Sequence, residues 1–260
     1  LRDAGYNRGS SRESGLPAIV SVLRLLLLLT CLNGVLHGET FEVETRTGDR
    51  IPVTRTSAPG DRLLLWLPGE FGVSPRQQPT VEALAARAIE VWQPDLHAAW
   101  FLPPGRYSLL EVAPEAIADL LTAASATGKT VFVMAAGRSA ALALTGVRAW
   151  QAGTGTDQGL GGAVLLHPNL YRRTPQGGES AEYLPIVYRT GVPVYLMQPE
   201  QSAAYWRVGQ LVEILDAGGS PVFLQRLPGV ADGFNTRPDF DPPEERLTAR
   251  LPDLLENALR

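Results

Sequence analysis

From Arg62 to the C terminus, short and solidly apolar runs alternate with longer stretches whose apolar residues recur at helical spacing, and this alternation narrows the possible architecture more than any other feature. The run RLLLWLPG (Arg62 to Gly69) suits a strand covered on both faces. After it the pattern predicts a helix over Thr80 to Glu90, a strand around Leu96 to Leu102, a helix over Pro114 to Ala126 and a strand over Thr130 to Met134. A helix over Ala140 to Trp150 follows, then strands over Gly162 to Leu166 and Val192 to Met197. The last elements are a helix over Ala203 to Ala217, a strand over Pro221 to Leu224 and a helix over Glu244 to Leu259. Strands alternating with helices imply a mostly parallel sheet with helices on both faces, hence an α/β protein. Ahead of it, Phe41 to Gly48 and Arg50 to Ser57 alternate like strands around a Gly48-Asp49 turn and read as an antiparallel hairpin.

A chain of 260 residues, 45% apolar and 19% charged, can bury one sizeable core, so a single domain is expected over residues 39–260. Acidic and basic residues are interspersed and the net charge is -4, which leaves no basic stripe for nucleic acid. Cys31 is the one cysteine, so no intrachain disulfide and no thiolate metal cluster can form. Residues 1–38 read as an over-extended start plus a signal peptide: Arg24 precedes the apolar run Leu25 to Leu36, and no methionine occurs before Met134, which puts the expected true start near Val20 to Leu23. The apolar run is too short to span a bilayer, so the mature chain is expected to be exported, periplasmic or secreted, without a transmembrane span. Cys31 reads as a signal-core residue rather than a lipidation site, since Leu29 and Thr30 fit a lipoprotein signal poorly.

The informative segment is TVFVMAAGRSAALAL, Thr130 to Leu144, an apolar strand followed by Gly137-Arg138-Ser139-Ala140-Ala141 and a helix. A serine between small residues at a strand-to-helix turn is what a nucleophile elbow requires, because the tight turn has no room for bulk around it. With its G-x-S-x-A pattern on the expected strand after an opening hairpin, the chain resembles the α/β-hydrolase superfamily over roughly Phe41 to Arg260. The resemblance implies an α/β-hydrolase fold: a mostly parallel central sheet, an N-terminal antiparallel hairpin and helices on both faces. It implies Ser139 as the nucleophile position, and an oxyanion hole from the amide of Ala140 with one from Gly69, Glu70 or Phe71 in the loop LPGEFGV.

The same resemblance exposes a gap. The superfamily places its histidine after the last strand, and the stretch from Leu224 to Asp239 contains none; Gly229, Asp232 and Phe234 align with the usual spacing and put Asp232 at the histidine position. Glu200, after the strand ending near Met197, is the possible acid. Of three histidines, His37 falls in the signal, His97 reads as structural, and His167 is a possible alternative base at the carboxyl edge of the sheet. Arg138, Arg172 and Arg173 could meet an anionic ligand at that edge, although solvated loop arginines are the favoured account of them. Two functions follow: a catalytically impaired or non-catalytic binding module, meeting a small-molecule ligand or an envelope protein, or a serine hydrolase attacking an ester or thioester through Ser139. No G-x-G-x-x-G or P-loop supports nucleotide binding, and no cofactor or metal is expected.

Overall fold

The computed structural model describes residues 38–156 and 158–260. The expected export signal and Cys31 lie outside the described residues. The hairpin forms, with β1 (Glu39–Glu44) antiparallel to β2 (Arg50–Thr56), and β2 is in turn antiparallel to β4 (Ile89–Pro94). Parallel pairing then joins β4 to β3 (Arg62–Trp66) and continues through β5 (Thr130–Ala136), β6 (Leu160–Leu166), β7 (Val194–Pro199) and β8 (Val222–Leu227). The sheet order is β1-β2-β4-β3-β5-β6-β7-β8. Around it run α1 (Gln78–Ala86), α2 (Leu96–Ala99), α3 (Pro114–Ser125), α4 (Ser139–Thr154), α5 (Val208–Ala217) and α6 (Pro242–Ala258).

The apolar runs are continuous because alternate side chains serve two cores, one on each face. Leu63 and Leu65 of β3 and Val131 and Val133 of β5 pack with Ile117 of α3, Val147 of α4 and Leu211 of α5. Their neighbours Leu64, Trp66, Phe132 and Met134 pack with Val81 and Leu84 of α1 and Leu251 and Leu255 of α6. Each such side chain contributes about 1.5–3 kcal/mol by leaving water. On the first face α3 and α4 approach closely at Gly146, where a Cβ would lie 2.4 Å from Ile117 Cβ.

The helix expected from Ala203 begins only at Val208, after a 3-10 turn over Tyr205–Arg207, and the stretch from Thr80 to Leu102 departs further from the sequence pattern. The helix predicted to reach Glu90 stops at Ala86, and Ala88 adopts a left-handed φ of 60° that turns the chain into β4; the segment predicted as a strand begins instead with α2, capped where the Asp95 side chain accepts the Ala98 N–H. The physical reason is Glu90. It reads as a solvated helix residue, yet it is fully buried, accepting from Arg55 Nε at 2.8 Å, Lys129 Nζ at 2.8 Å and Trp92 Nε1 at 2.7 Å. Burial alone would raise its pKa; the hydrogen bonds from Lys129, Trp92 and Arg55 outweigh that and hold it below the ordinary value.

Candidate functional site

All the parallel strands end at one edge, and the loops after β3, β5, β6 and β8 enclose a cavity of about 620 Å³ there. This is where open α/β sheets bind ligands. The turn after β5 forms part of its lining through Gly137, whose φ of 57° lies in the left-handed region. An L-residue pays about 1–2 kcal/mol for that conformation. A Cβ built on Gly137 would stand 3.8 Å from Glu70 Oε2 and 3.9 Å from His167 Cε1, ordinary contact distances that leave room for a small side chain.

Ser139 lies two residues further on, as the first residue of α4. It is 1% exposed, is not among the cavity-lining residues, and its Oγ donates to the Pro68 carbonyl at 2.7 Å. Among the described residues neither His167 nor Asp232 hydrogen-bonds to it. Ala140 is likewise fully buried, with its amide 3.4 Å from the Gly137 carbonyl, whereas Gly69, Glu70 and Phe71 do line the cavity. The amide that directly follows the left-handed turn residue is that of Arg138, a donor the sequence pattern did not single out.

The loop carrying Glu70 is closed by the Gly72 amide donating to the Gly69 carbonyl at 3.0 Å. The Glu70 carbonyl accepts from the Gly105 amide at 2.9 Å and from Ser108 Oγ at 3.1 Å, and His97 Nε2 lies 3.2 Å from it. His97 thus ties α2 to the cavity loop. The Glu70 carboxylate pairs with Arg138 Nε at 3.2 Å, and the Arg138 guanidinium stacks over Tyr107. Burial raises the Glu70 pKa, with Arg138 and Arg106 opposing. Arg138 is therefore committed inside the protein, and Arg173 pairs with Glu179 at 3.0 Å; Arg172 is exposed.

His167 follows β6 with a left-handed φ of 40° and lines the cavity. Its Nε2 accepts the Gly233 N–H at 3.4 Å, which puts any proton of the neutral ring on Nδ1. Burial lowers its pKa, and the Asp232 carboxylate only partly opposes this. Asp232 also lines the cavity, accepting from Ser202 Oγ at 3.0 Å. Glu200 is exposed on the loop after β7 and outside the lining, so the residue that loop presents to Asp232 is Ser202. The structure brings Glu70 and His167 to Gly137 and Asp232 to the same cavity lining, and leaves Ser139, Ala140 and Glu200 outside that lining. Asn169, Asn235 and Gln77, which no pattern in the sequence marks, add to the polar lining beside Ser74, Thr236 and Arg237. Among the described residues, no group of three or more His, Cys, Asp or Glu is placed to hold a metal ion, and no helix is long and apolar enough to cross a membrane.

No protein-family model and no curated protein matches the chain by sequence. Solved structures do match by shape. An esterase of Pyrobaculum calidifontis superposes with a TM-score of 0.64 at 14% identity, covering 92% of each chain. A bacterial heroin esterase gives 0.61 at 16% identity over 95% of this chain and 92% of its own. An esterase from the fungus Rhizomucor miehei gives 0.61 at 13% identity, covering 95% and 93%. With the strand order, these likenesses show that the chain has the α/β-hydrolase fold.

Proposed function

We propose that this chain is a binding module on a hydrolase scaffold, whose cavity holds a small molecule without serine-based turnover. The observation that carries the reading is Gly137. In this fold the nucleophile sits on the strained strand-to-helix turn, and the left-handed residue of that turn here has no side chain. Ser139 falls one short step into the helix, where its hydroxyl is spent on the Pro68 carbonyl. A serine hydroxyl becomes nucleophilic when a base takes its proton, and neither Asp232 nor His167 is hydrogen-bonded to it. The three positions that in the resembling superfamily hold nucleophile, histidine and acid are matched here by Gly137, Asp232 and the Glu200 to Ser202 loop.

Fluorophosphonate labelling tests the reading. The wild-type protein should remain unlabelled, and simple esters should not turn over above background. The double substitution Gly137→Ser with Asp232→His should gain labelling, because a serine Oγ then projects from the turn with an imidazole across the cavity. Labelling of wild type at Ser139 would instead establish the serine hydrolase, with Ala140 near the reacting atom.

Export belongs to the same proposal and rests on Arg24 and the run Leu25 to Leu36. The mass of the envelope form should place its first residue near Glu39; a cytoplasmic form retaining Leu25 would refute export.

A further inference from the structure

Apolar surface is distributed unevenly over the protein. Of the eight large apolar and aromatic side chains that stay exposed among the described residues, five fall in two neighbouring loops at the cavity rim: Phe71 and Val73 after β3, and Phe101, Tyr107 and Leu110 after α2. The loops are tied to each other, since the Glu70 carbonyl accepts the Gly105 amide at 2.9 Å and the Ser108 hydroxyl at 3.1 Å. By side-chain size and exposure the five present on the order of 600 Å² of apolar surface, at the upper end of what a monomer leaves in water.

The patch carries both a projection and a recess. Phe101 is 94% exposed and adopts a left-handed φ of 53°, an unfavourable conformation for a bulky residue that no buried contact of its side chain offsets. Strain of this kind, held at an exposed tip, marks a side chain positioned for an encounter. Further along the same loop, Leu109, Leu110 and Val112 join Leu142 of α4 in lining an apolar groove of about 220 Å³. The charge of the patch is balanced. Glu70 is paired with Arg138, and the two loops, residues 69–73 and 101–111, otherwise carry one cation, Arg106, and one anion, Glu111, both exposed.

We propose that this rim patch is the contact face for a second copy of the chain, the two copies related by a twofold axis. A twofold contact sets one patch against itself, so it needs a projection and a recess on the same face and a charge complementary to itself. Phe101 and the leucine-lined groove supply the first, Arg106 and Glu111 the second. A stable interface buries about 800 Å² on each partner, which the apolar patch approaches once the exposed Pro103, Pro104, Arg106 and Glu111 around it are included. A bilayer surface fits less well, because Glu111 offsets Arg106 and leaves no net attraction to anionic headgroups. Phe71 and Val73 belong to the patch and to the cavity wall alike, so the second copy borders the cavity mouth. The contact is independent of turnover in the cavity.

Sedimentation equilibrium of the purified protein tests it. Wild type should pass from monomer to dimer at about 100 μM or below, without larger species. Phe101→Asn removes the projection and substitutes a residue that tolerates a left-handed φ. Dimerisation should then weaken about tenfold or more, while the melting temperature of the dilute monomer holds or rises. Glu111→Arg decides the occupant. It gives each patch cations only, so two copies repel and dimerisation weakens about fivefold or more, whereas attachment to vesicles of anionic phosphatidylglycerol would strengthen. A protein still monomeric at about 1 mM, dimerisation unchanged in Phe101→Asn, or dimerisation unchanged or tightened by Glu111→Arg would each overturn the assignment. Monomeric wild type that binds those vesicles, and binds them more tightly as Glu111→Arg, would give the patch to a membrane surface instead.

Discussion

Ser139→Ala separates a structural hydroxyl from a reactive one. In the native protein Oγ is 2.7 Å from the Pro68 carbonyl and the residue is 1% exposed, so alanine removes the hydrogen bond and leaves a buried acceptor without that donor. The bond itself is worth about 0.5–1.5 kcal/mol and an unsatisfied buried acceptor costs about 1–3 kcal/mol. Alanine returns a few tenths through its helix propensity at the start of α4. The net expectation is a loss of about 1–2 kcal/mol. In a domain of this size that lowers the melting temperature by about 2–8 °C, and it moves the urea midpoint at unchanged slope. Ester hydrolysis, measured alongside, should equal that of wild type. The reasoning fails if the variant melts like wild type and a measurable wild-type esterase activity disappears with the hydroxyl.

Gly146→Ala should destabilise despite alanine's better helix propensity, because its Cβ would meet Ile117 Cβ at 2.4 Å; overpacking of about 1–3 kcal/mol exceeds a propensity gain of about 0.5–1 kcal/mol, as urea unfolding would show. Glu90→Gln should cost about 2–4 kcal/mol, toward the lower end of a broken buried pair because the partner cations reach solvent with side chains 36% and 15% exposed. The sign of its pH dependence follows from a folded pKa held below the unfolded value of 4.5: Glu90 stabilises fully above that value, and its contribution disappears as pH falls through the folded pKa. Denaturation midpoints of wild type and Glu90→Gln should therefore converge in acid and separate as pH rises, and a constant gap across that range would contradict the account.

The parallel sheet is legible in the sequence because runs such as Leu63 to Trp66 and Val131 to Met134 are apolar at every position, which requires cover on both faces. β4 is not, because its signature is interrupted by Glu90, and only the tertiary meeting with Arg55 and Lys129 makes a carboxylate acceptable there. The elbow is legible as a place but not as a register. Ala135-x-Gly137-x-Ser139 and Gly137-x-Ser139-x-Ala141 are both small-residue patterns at spacing two, and composition cannot choose between them. In the backbone Gly137 is left-handed and Ser139 is helical, and the proposed function rests on that difference. A glycine directly after a strand's last apolar residue is a signal available in the sequence. The absence of histidine after β8 is readable residue by residue, whereas the approach of Ser202 to Asp232 depends on how two loops fold back, which local pattern does not encode.

The Glu90 cluster joins β2, β4 and the start of β5 at the amino ends of the parallel strands, whereas the cavity opens at their carboxyl ends. The two share no residue. Substitutions at sites so separated combine additively in their effect on stability. A chain built this way can lose or replace groups around its cavity while the clamp at the far end keeps the strands in register. Mutational drift at the mouth is thereby uncoupled from foldability.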